Sequence, residues 1–179
     1  MEITQTAQTD VSEITQASQV DVPEIVALIG SCVRDMESRQ IHQWDGIYPS
    51  RSAIQQDVDS RTLNAAKENG KIIGIVVLNE NQEPQYGEDP WSYLVEKVLV
   101  VHRLSVDPRH QRKGIAGRLM DFAEDQAKAQ SYQAIRLDAF VENTAAVALY
   151  ERRGYHKAGS VIFRKGLFYC FEKEIKGSK

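Results

Sequence analysis

The segment from Lys97 to Gln130 places the tightest constraint on how this chain can fold. A β-branched run, KVLVVHRLSV, is followed by a basic, glycine-containing turn, DPRHQRKGIAG, and then by apolar residues at helical spacing. β-branched runs are typical of strands, and apolar residues three and four positions apart indicate one buried helix face. The segment therefore predicts a strand, a glycine turn and a helix in immediate succession.

The turn concentrates positive charge in a chain that is acidic overall. Arg109, Arg112, Lys113 and Arg118 stand against the single acid Asp107, while the 179 residues together carry a net charge of −3. A helix N-terminus leaves amides unpaired and carries partial positive charge, and glycine allows an anion close to the backbone. The turn thus predicts a pyrophosphate or polyphosphate site, with a solvated charged turn as the plainer alternative.

Two common phosphate-binding loops do not fit this segment. The P-loop pattern GxxxxGK[ST] is absent, and the dinucleotide pattern GxGxxG is replaced by Gly-x-Ala-Gly late in the chain. The dinucleotide pattern also requires a following acidic residue, which is not suitably placed here. Another kind of phosphate ligand is therefore indicated.

The rest of the chain alternates between strand and helix patterns. A helix is predicted after the N-cap candidate Asp21. The other predicted helices are Arg51–Ser60, Gly114–Gln130 and Thr144–Arg153, and the predicted strands are Ile14–Ser18, Thr62–Lys67, Lys71–Leu78, Lys97–Val106, Ala134–Phe140, Tyr155–Phe163 and Leu167–Ile175. This order predicts an α/β (α+β) fold with a mixed sheet and helices on both faces.

A near-repeat at the N-terminus sets the predicted domain boundary. EITQTAQTDVS is followed at once by EITQASQVDVP, and the second copy leads into the first helix. We therefore predict that residues 1–12 are a polar, mobile tail, with an added edge strand as the alternative. Residues 13–179 would then form a single domain, for which 42% hydrophobic residues provide enough core.

Composition argues against several classes of protein. The net negative charge disfavours general nucleic-acid binding. Cys32 and Cys170 form no CxxC pair and have no nearby histidine cluster, so neither a metal site nor a disulfide framework is expected. A reduced, cytoplasmic setting is expected instead. No apolar run approaches the ~18–20 residues of a membrane span, and the N-terminus lacks a signal-peptide pattern, so no membrane partner is expected.

Two motifs give the chain a resemblance to a known family. LSVDPRHQRKGIAGRLM, residues 104–120, resembles the acyl-CoA signature of the GNAT superfamily of N-acetyltransferases, and ENTAAVALYERRGY, residues 142–155, resembles its second signature. The resemblance covers about Ile14 to Ile175. It implies a GNAT-like fold of about seven mostly antiparallel strands. It also implies direct transfer of an acetyl group from acetyl-CoA to a primary amine through a ternary complex, without a metal.

The same resemblance implies which residues bind acetyl-CoA. The implied set is Leu104, Ser105, Val106, Gln111, Arg112, Lys113, Gly114, Ile115, Ala116, Gly117, Arg118, Asn143, Ala146 and Tyr150. Asn143, Ala146 and Tyr150 fall at helical spacing and share one face. The structural alternatives are a helix cap for Asn143 and a core aromatic for Tyr150.

Acetyl transfer to an amine also requires an acid and a base. Tyr150 is the predicted acid for the leaving thiolate. His102 is the first candidate base, since its reference pKa of ~6.5 suits proton acceptance and it shares strand parity with Leu104 and Val106. Glu96 is the second candidate. Asp138 is a third candidate, and its structural alternative is an ion pair with Arg136. The structural alternative for His102 is a histidine whose hydrogen bonds are made within the sheet.

The acceptor is expected to lie in the loops that precede the signature strand. Its aromatic candidates are Trp44, Tyr48, Trp91 and Tyr93, and its acidic candidates are Asp45, Glu88, Asp89 and Glu96. Two tryptophan-bearing loops favour a small-molecule amine over a peptide amine, although loop anchors and solvated charges are the plainer alternative. A non-catalytic acyl-CoA sensor and a protein-interaction module are the rival functions. The resemblance also makes a homodimer an open expectation.

Overall fold

A computed structural model describes residues 12–88 and 91–176. Its strands are β1 Ser12–Gln16, β2 Leu63–Glu68, β3 Lys71–Asn79, β4 Val98–Val106, β5 Ala134–Phe140, β6 His156–Phe163 and β7 Gly166–Glu174. Its longer helices are α1 Val22–Ser38, α2 Arg51–Asp59, α3 Ile115–Ala129 and α4 Thr144–Arg152. The predicted order of elements is confirmed, and β1 begins two residues earlier than predicted. Residues 1–11 of the predicted tail, Asp89 and the side chain of Glu88 lie outside the described part.

The seven strands form one mixed sheet in the order β1-β2-β3-β4-β5-β7-β6. Only β4 and β5 are parallel, and every other neighbouring pair is antiparallel. Asn69 and Gly70 connect β2 to β3 with φ values of 49° and 75°, which is the left-handed pair that a tight hairpin turn requires. The predicted fold, a mostly antiparallel sheet with helices, is therefore confirmed.

Helices cover both faces of this sheet. Leu119 and Ala123 of α3 are buried in one apolar cluster with Ile73 of β3, whereas Ile25 of α1 and Ile54 of α2 are buried in another cluster on the opposite face. A third cluster joins the loop after β3 to β4–β7. The helical periodicity of the sequence produces this division, because each helix turns its apolar stripe towards the sheet.

Helix α3 lies unusually close to the sheet at Gly74. A Cβ atom at this position would be 3.1 Å from Leu119 Cδ1, 3.1 Å from the Ser105 carbonyl oxygen and 3.2 Å from Ile115 Cγ2. A Cβ atom here would require its neighbours to shift by a few tenths of an ångström, because interiors pack without spare space. The approach fixes the N-terminal turn of α3 against the end of β4.

The parallel strands β4 and β5 separate soon after they meet. They pair only at residues 98–100 with 134–136. A bulge lies just beyond, because Val77 pairs with His102 and Ile75 pairs with Ser105, which leaves Arg103 and Leu104 opposite one residue of β3. Arg103 has a φ of 50° there. The separation of the two strands opens a cleft within the sheet.

The bulge changes which side chains share a face. Val100 is buried in the third cluster, and regular alternation places His102 on that same face. Leu104 and Val106 pack with α3 on the other face. The predicted shared parity of His102, Leu104 and Val106 is therefore wrong, because an extra residue shifts the alternation by one.

Candidate active site

The glycine turn ends in an uncapped helix N-terminus. Gly114 is the N-cap residue of α3 with a φ of 82°, and it has no side chain to accept hydrogen bonds from the first turn. The amide of Arg118 donates to the Gly114 carbonyl oxygen at 3.1 Å, so the amides of residues 115–117 precede the first intrahelical hydrogen bond. Arg112 and Lys113 are exposed beside them. Backbone donors and positive charge therefore meet at one point, as an anion site requires.

Arg109 has a different role in the turn. Its guanidinium pairs with the Asp107 carboxylate at 2.7 Å, and its amide donates to the same carboxylate at 2.9 Å. These contacts hold the pKa of Asp107 below its usual range. The pair orders the start of the turn and leaves the positive charge at Arg112 and Lys113.

A cavity of about 400 Å³, the turn cavity, begins at this turn and runs along β4 towards α4. The predicted acetyl-CoA residues that line it are Leu104, Ser105, Val106, Gln111, Arg112, Gly114, Ile115, Ala116, Gly117, Asn143, Ala146 and Tyr150. Lys113 and Arg118, which were also predicted, do not line it. The structure thus brings the two sequence motifs together around one elongated space.

A second cavity of about 460 Å³, the cleft cavity, lies where β4 and β5 separate. It shares six lining residues with the turn cavity: Gln43, Trp44, Leu104, Asn143, Ala146 and Tyr150. The two spaces therefore adjoin along a wall formed by β4, α4 and the loop before α2. Their volumes are in the range of sites that enclose small molecules.

Tyr150 lies on the wall that the two cavities share. Its ring packs against Tyr155 and Phe171 at centroid distances of 6.1 and 5.8 Å. The hydroxyl makes no hydrogen bond to the described residues 12–88 and 91–176. Burial, and then the negative charge of Asp138, raise the pKa of the hydroxyl. Tyr150 is therefore protonated at neutral pH and able to donate.

Asn143 both caps a helix and bridges two elements. Its Oδ1 accepts from the Ala146 amide at 3.2 Å, which caps α4, and its Nδ2 donates to Gln43 Oε1 at 2.9 Å. The structural alternative raised for Asn143 is thus observed. The bridge also ties α4 to the loop that bears Trp44.

Asp138 is a carboxylate with a raised pKa in the wall of the cleft cavity. Burial raises the pKa to about 6, and the hydroxyl of Tyr86, which donates to Asp138 Oδ2, partly opposes that rise. Arg136 does not pair with Asp138, because its guanidinium donates to Gln82 Oε1 at 2.6 Å and to the Tyr93 carbonyl at 3.0 Å. Asp138 can therefore change its protonation state close to neutral pH.

His102 also lines the cleft cavity, but as a weaker base. Its Nε2 is 3.0 Å from Asn79 Oδ1 and 3.1 Å from the Asn81 carbonyl oxygen, so this nitrogen acts as a donor. Burial and the charge of Arg103 lower its pKa to about 4. Glu96 is exposed before β4 and lines neither cavity. Asp138 therefore has a pKa closer to neutrality than His102.

The four predicted acceptor aromatics divide into two pairs. Trp44 and Tyr48 line the cleft cavity. Trp91 is buried edge-on against Tyr86 under the guanidinium of Arg136, and its Nε1 donates to the Tyr86 carbonyl at 2.9 Å. Tyr93 packs against His156 and also lies outside both cavities. Composition cannot distinguish these pairs, because a tryptophan suits a core as well as a binding wall.

Several cavity residues could not be found from motifs. Those that line the cleft cavity are Gln43, Glu83, Arg103, Phe163, Arg164, Lys165 and Phe168. They come from three loops, a bulge and the strands β6 and β7, and their meeting depends on tertiary structure. One available signal was Arg103, a charged residue in a mostly apolar strand.

The described residues hold no group of three or more His, Cys, Asp or Glu side chains able to bind a metal ion. Within the same part of the chain, no helix is long and apolar enough to cross a membrane.

The known proteins that this chain resembles include acetyltransferases. Residues 31–155 match the model of the acetyltransferase (GNAT) family. The chain is 25% identical over 158 residues to the uncharacterized N-acetyltransferase YesJ of Bacillus subtilis (strain 168), a match that covers 83% of this chain and 84% of that protein. It is 32% identical over 98 residues to human N-acetyltransferase 8, covering 55% of this chain and 40% of that protein.

Solved structures agree on the fold. The GNAT-family acetyltransferase of Streptococcus agalactiae 2603 matches with a TM-score of 0.81 at 19% identity, covering 93% of this chain and 96% of that one. The shared architecture includes the sheet that carries both cavities.

Proposed function

The chain belongs to the acetyltransferase (GNAT) family and is an acetyltransferase, and from this premise we propose that it moves the acetyl group of acetyl-CoA directly to a primary amine of a small molecule. The observation that carries the proposal is the shared wall of the two cavities at Tyr150 and Asn143. Donor and acceptor can then occupy adjoining spaces at once, which favours a ternary complex over a covalent enzyme intermediate.

The turn cavity fits the donor. Acetyl-CoA supplies an activated acetyl thioester when bound. The amides of residues 115–117, with Arg112 and Lys113, would hold its pyrophosphate, because unpaired N–H groups and positive charge bind phosphate oxygens. The edge of β4 beyond Val100 has no pairing to β5 and would offer N–H groups to the acetyl oxygen.

Asp138 would act as the base of the transfer. An alkyl amine with a pKa near ~10 is protonated at pH 7 and cannot attack until it loses a proton. The Asp138 carboxylate, with a pKa of about 6, is ionised at pH 7, attracts the cationic amine and can accept its proton. We place His102 in the acceptor wall as a neutral donor, since its pKa of about 4 makes it the poorer acceptor.

Tyr150 would complete the proton balance. The amine nitrogen forms a bond to the acetyl carbon as the carbon–sulfur bond breaks. The ammonium group loses one proton through Asp138 to bulk water before the attack, and Asp138 takes the second proton of the nitrogen as the amide forms. Tyr150 donates a proton to the leaving sulfur and recovers one from bulk water, so that the products are the amide, free CoA and one proton. The raised pKa of Tyr150 keeps its hydroxyl protonated at pH 7, so that the proton is present when the sulfur leaves.

A thiol-release assay tests this function. The protein would be incubated with acetyl-CoA and with separate classes of amine: arylalkylamines, polyamines, amino acids and short peptides. We expect release of free CoA, dependent on enzyme and amine, with one class of small amine. Release with peptides alone would contradict the proposed substrate type, and binding of acetyl-CoA without release from any amine would support a sensor instead.

A further inference from the structure

The cleft cavity carries both signs of charge in its wall. The carboxylates of Asp138 and Glu83 line it, and so do the cations Arg103, Arg164 and Lys165. A plain alkyl amine is itself cationic at neutral pH, and cationic side chains repel it. This lining instead suits an acceptor that carries a positive and a negative group.

Arg103 provides a buried guanidinium, which forms an ion pair with Asp57. Its side chain is only 14% exposed, and its Nη1 lies 3.0 Å from Asp57 Oδ2. Nη1 is the only guanidinium nitrogen with a hydrogen-bond partner among residues 12–88 and 91–176, and Nε is buried without one. A guanidinium has five N–H donors in a fixed plane, so the two donors of Nη2 are left for a ligand.

The bulge and an aromatic ring direct Arg103 to the cavity. The φ of 50° at this residue re-aims its side chain, as bulges do beside functional sites. The guanidinium lies 5.3 Å from the centroid of the Tyr48 ring, which also lines the cavity. Asp138 lines the same cavity as Arg103 and Tyr48.

Arg164 and Lys165 extend the positive charge at the turn between β6 and β7. Both pair with Asp45, at 3.0 and 3.3 Å. One carboxylate against two cations leaves a net positive charge on this part of the wall. The side chains of these two cations are more exposed than that of Arg103. We therefore assign to them the long-range attraction of the substrate, and to Arg103 the recognition of its carboxylate.

We propose that the acceptor is an amino acid, with its amine at Asp138 and Tyr150 and its carboxylate on the guanidinium of Arg103. The inference rests on the proposed function, because it names the acceptor of that transfer. Its physical basis is the preference of a planar guanidinium for two parallel hydrogen bonds to a carboxylate, which strengthen when water is excluded.

Matched pairs of amines test the proposal. Phenylalanine and 2-phenylethylamine, leucine and 3-methylbutylamine, and 4-aminobutyrate and propylamine differ within each pair only by the carboxylate. We expect kcat/KM for acetyl transfer to be about 10- to 100-fold higher for the carboxylate-bearing member of at least one pair, as hydrogen bonds to charged groups would give.

Two variants separate recognition from structure. Arg103→Met and Asp57→Asn both break the same ion pair, but only the first removes the guanidinium. We expect Arg103→Met to abolish the preference for the carboxylate, mainly through a higher KM for the amino acid, and Asp57→Asn to retain it. Arg103→Lys, which keeps a cation beside Asp57, should give an intermediate preference. Melting temperatures with acetyl-CoA bound would verify that each variant is folded.

The outcomes distinguish the amino-acid acceptor from the acetyl-transfer reaction itself. Acetylation of the amines without a preference for the carboxylate, or equal loss of that preference in Arg103→Met and Asp57→Asn, would overturn the amino-acid acceptor and leave the transfer reaction intact. Failure of every amine and amino acid to release CoA would overturn the proposed function and this inference with it.

Discussion

Asp138 is the residue at which the rate should respond most strongly to pH. A base works only when it is deprotonated, so kcat/KM of the native enzyme should fall about tenfold per pH unit below about pH 6, where this carboxyl becomes protonated. Asp138→Asn should lower kcat about 100-fold at pH 7 and remove that acidic limb. Initial rates between pH 5 and 8 measure both effects.

Tyr86→Phe provides the matched control for this profile. The Tyr86 hydroxyl lowers the pKa of Asp138, so its removal should move the acidic limb to higher pH while kcat on the plateau changes little. An acidic limb that stays in place in Asp138→Asn would assign the titration to another group.

Tyr150 should matter for turnover more than for binding. Tyr150→Phe removes the proposed proton donor and keeps the ring that packs against Phe171, so kcat should fall about 100-fold with little change in KM for acetyl-CoA. Tyr155→Phe is the control, because Tyr155 packs beside Tyr150 but lies outside both cavities. Equal losses in the two variants would mean that Tyr150 is structural.

Individual residues also show where sequence reasoning ends. Asn143 and Tyr150 could be predicted to share a face because helical spacing is regular. Arg103 could not be placed, because its positive φ depends on a bulge that no local pattern announces. Trp91 and Tyr93 were expected at the acceptor, yet their partners are Tyr86 and His156 outside the cavities.

At the scale of elements, the contact between α3 and β3 links stability to the turn cavity. Gly74→Ala would place a Cβ 3.1 Å from Leu119 Cδ1 and from the Ser105 carbonyl oxygen. Overpacking of this kind costs about 1–3 kcal/mol. Because Ser105 and Ile115 line the turn cavity, the variant should also raise KM for acetyl-CoA. Urea unfolding and steady-state kinetics measure the two effects.

Gly87→Ala is the control for this change. A Cβ at Gly87 would meet no heavy atom within 4 Å, so its free energy of unfolding should stay within about 0.5 kcal/mol of the native value. Similar unfolding energies for the two variants would show that α3 yields to the added methyl group.

The elements themselves were the most predictable part of the structure. Runs such as KIIGIVVL in β3 and the apolar stripe of α3 have strong periodicity, and their bounds in the structure differ little from those predicted. The face of His102 was mispredicted, because one extra residue in β4 reverses the alternation. The cleft was not predictable either, since it depends on how briefly β4 and β5 pair.

For the whole molecule, the donor should stabilise the fold that binds it. Acetyl-CoA at 100 times its dissociation constant should add about 2.7 kcal/mol to the free energy of unfolding. A domain of this size should then melt about 5 to 10 °C higher. Adenosine at the same concentration, which lacks the pyrophosphate, should shift the melting temperature far less. No shift at saturating acetyl-CoA would remove the turn cavity as the donor site.

The brief pairing of β4 and β5 leaves an interior strand edge facing a cavity instead of another strand. Proteins usually cover such an edge, because its N–H and C=O groups are a template for pairing. Here the edge from Val101 to Val106 borders the two cavities. A ligand with amide groups along its length can lie there as an added strand between β4 and β5. Its hydrogen bonds would then protect the β4 amides from hydrogen exchange. The hydrogen bonding of the sheet would then be complete only while the ligand is bound.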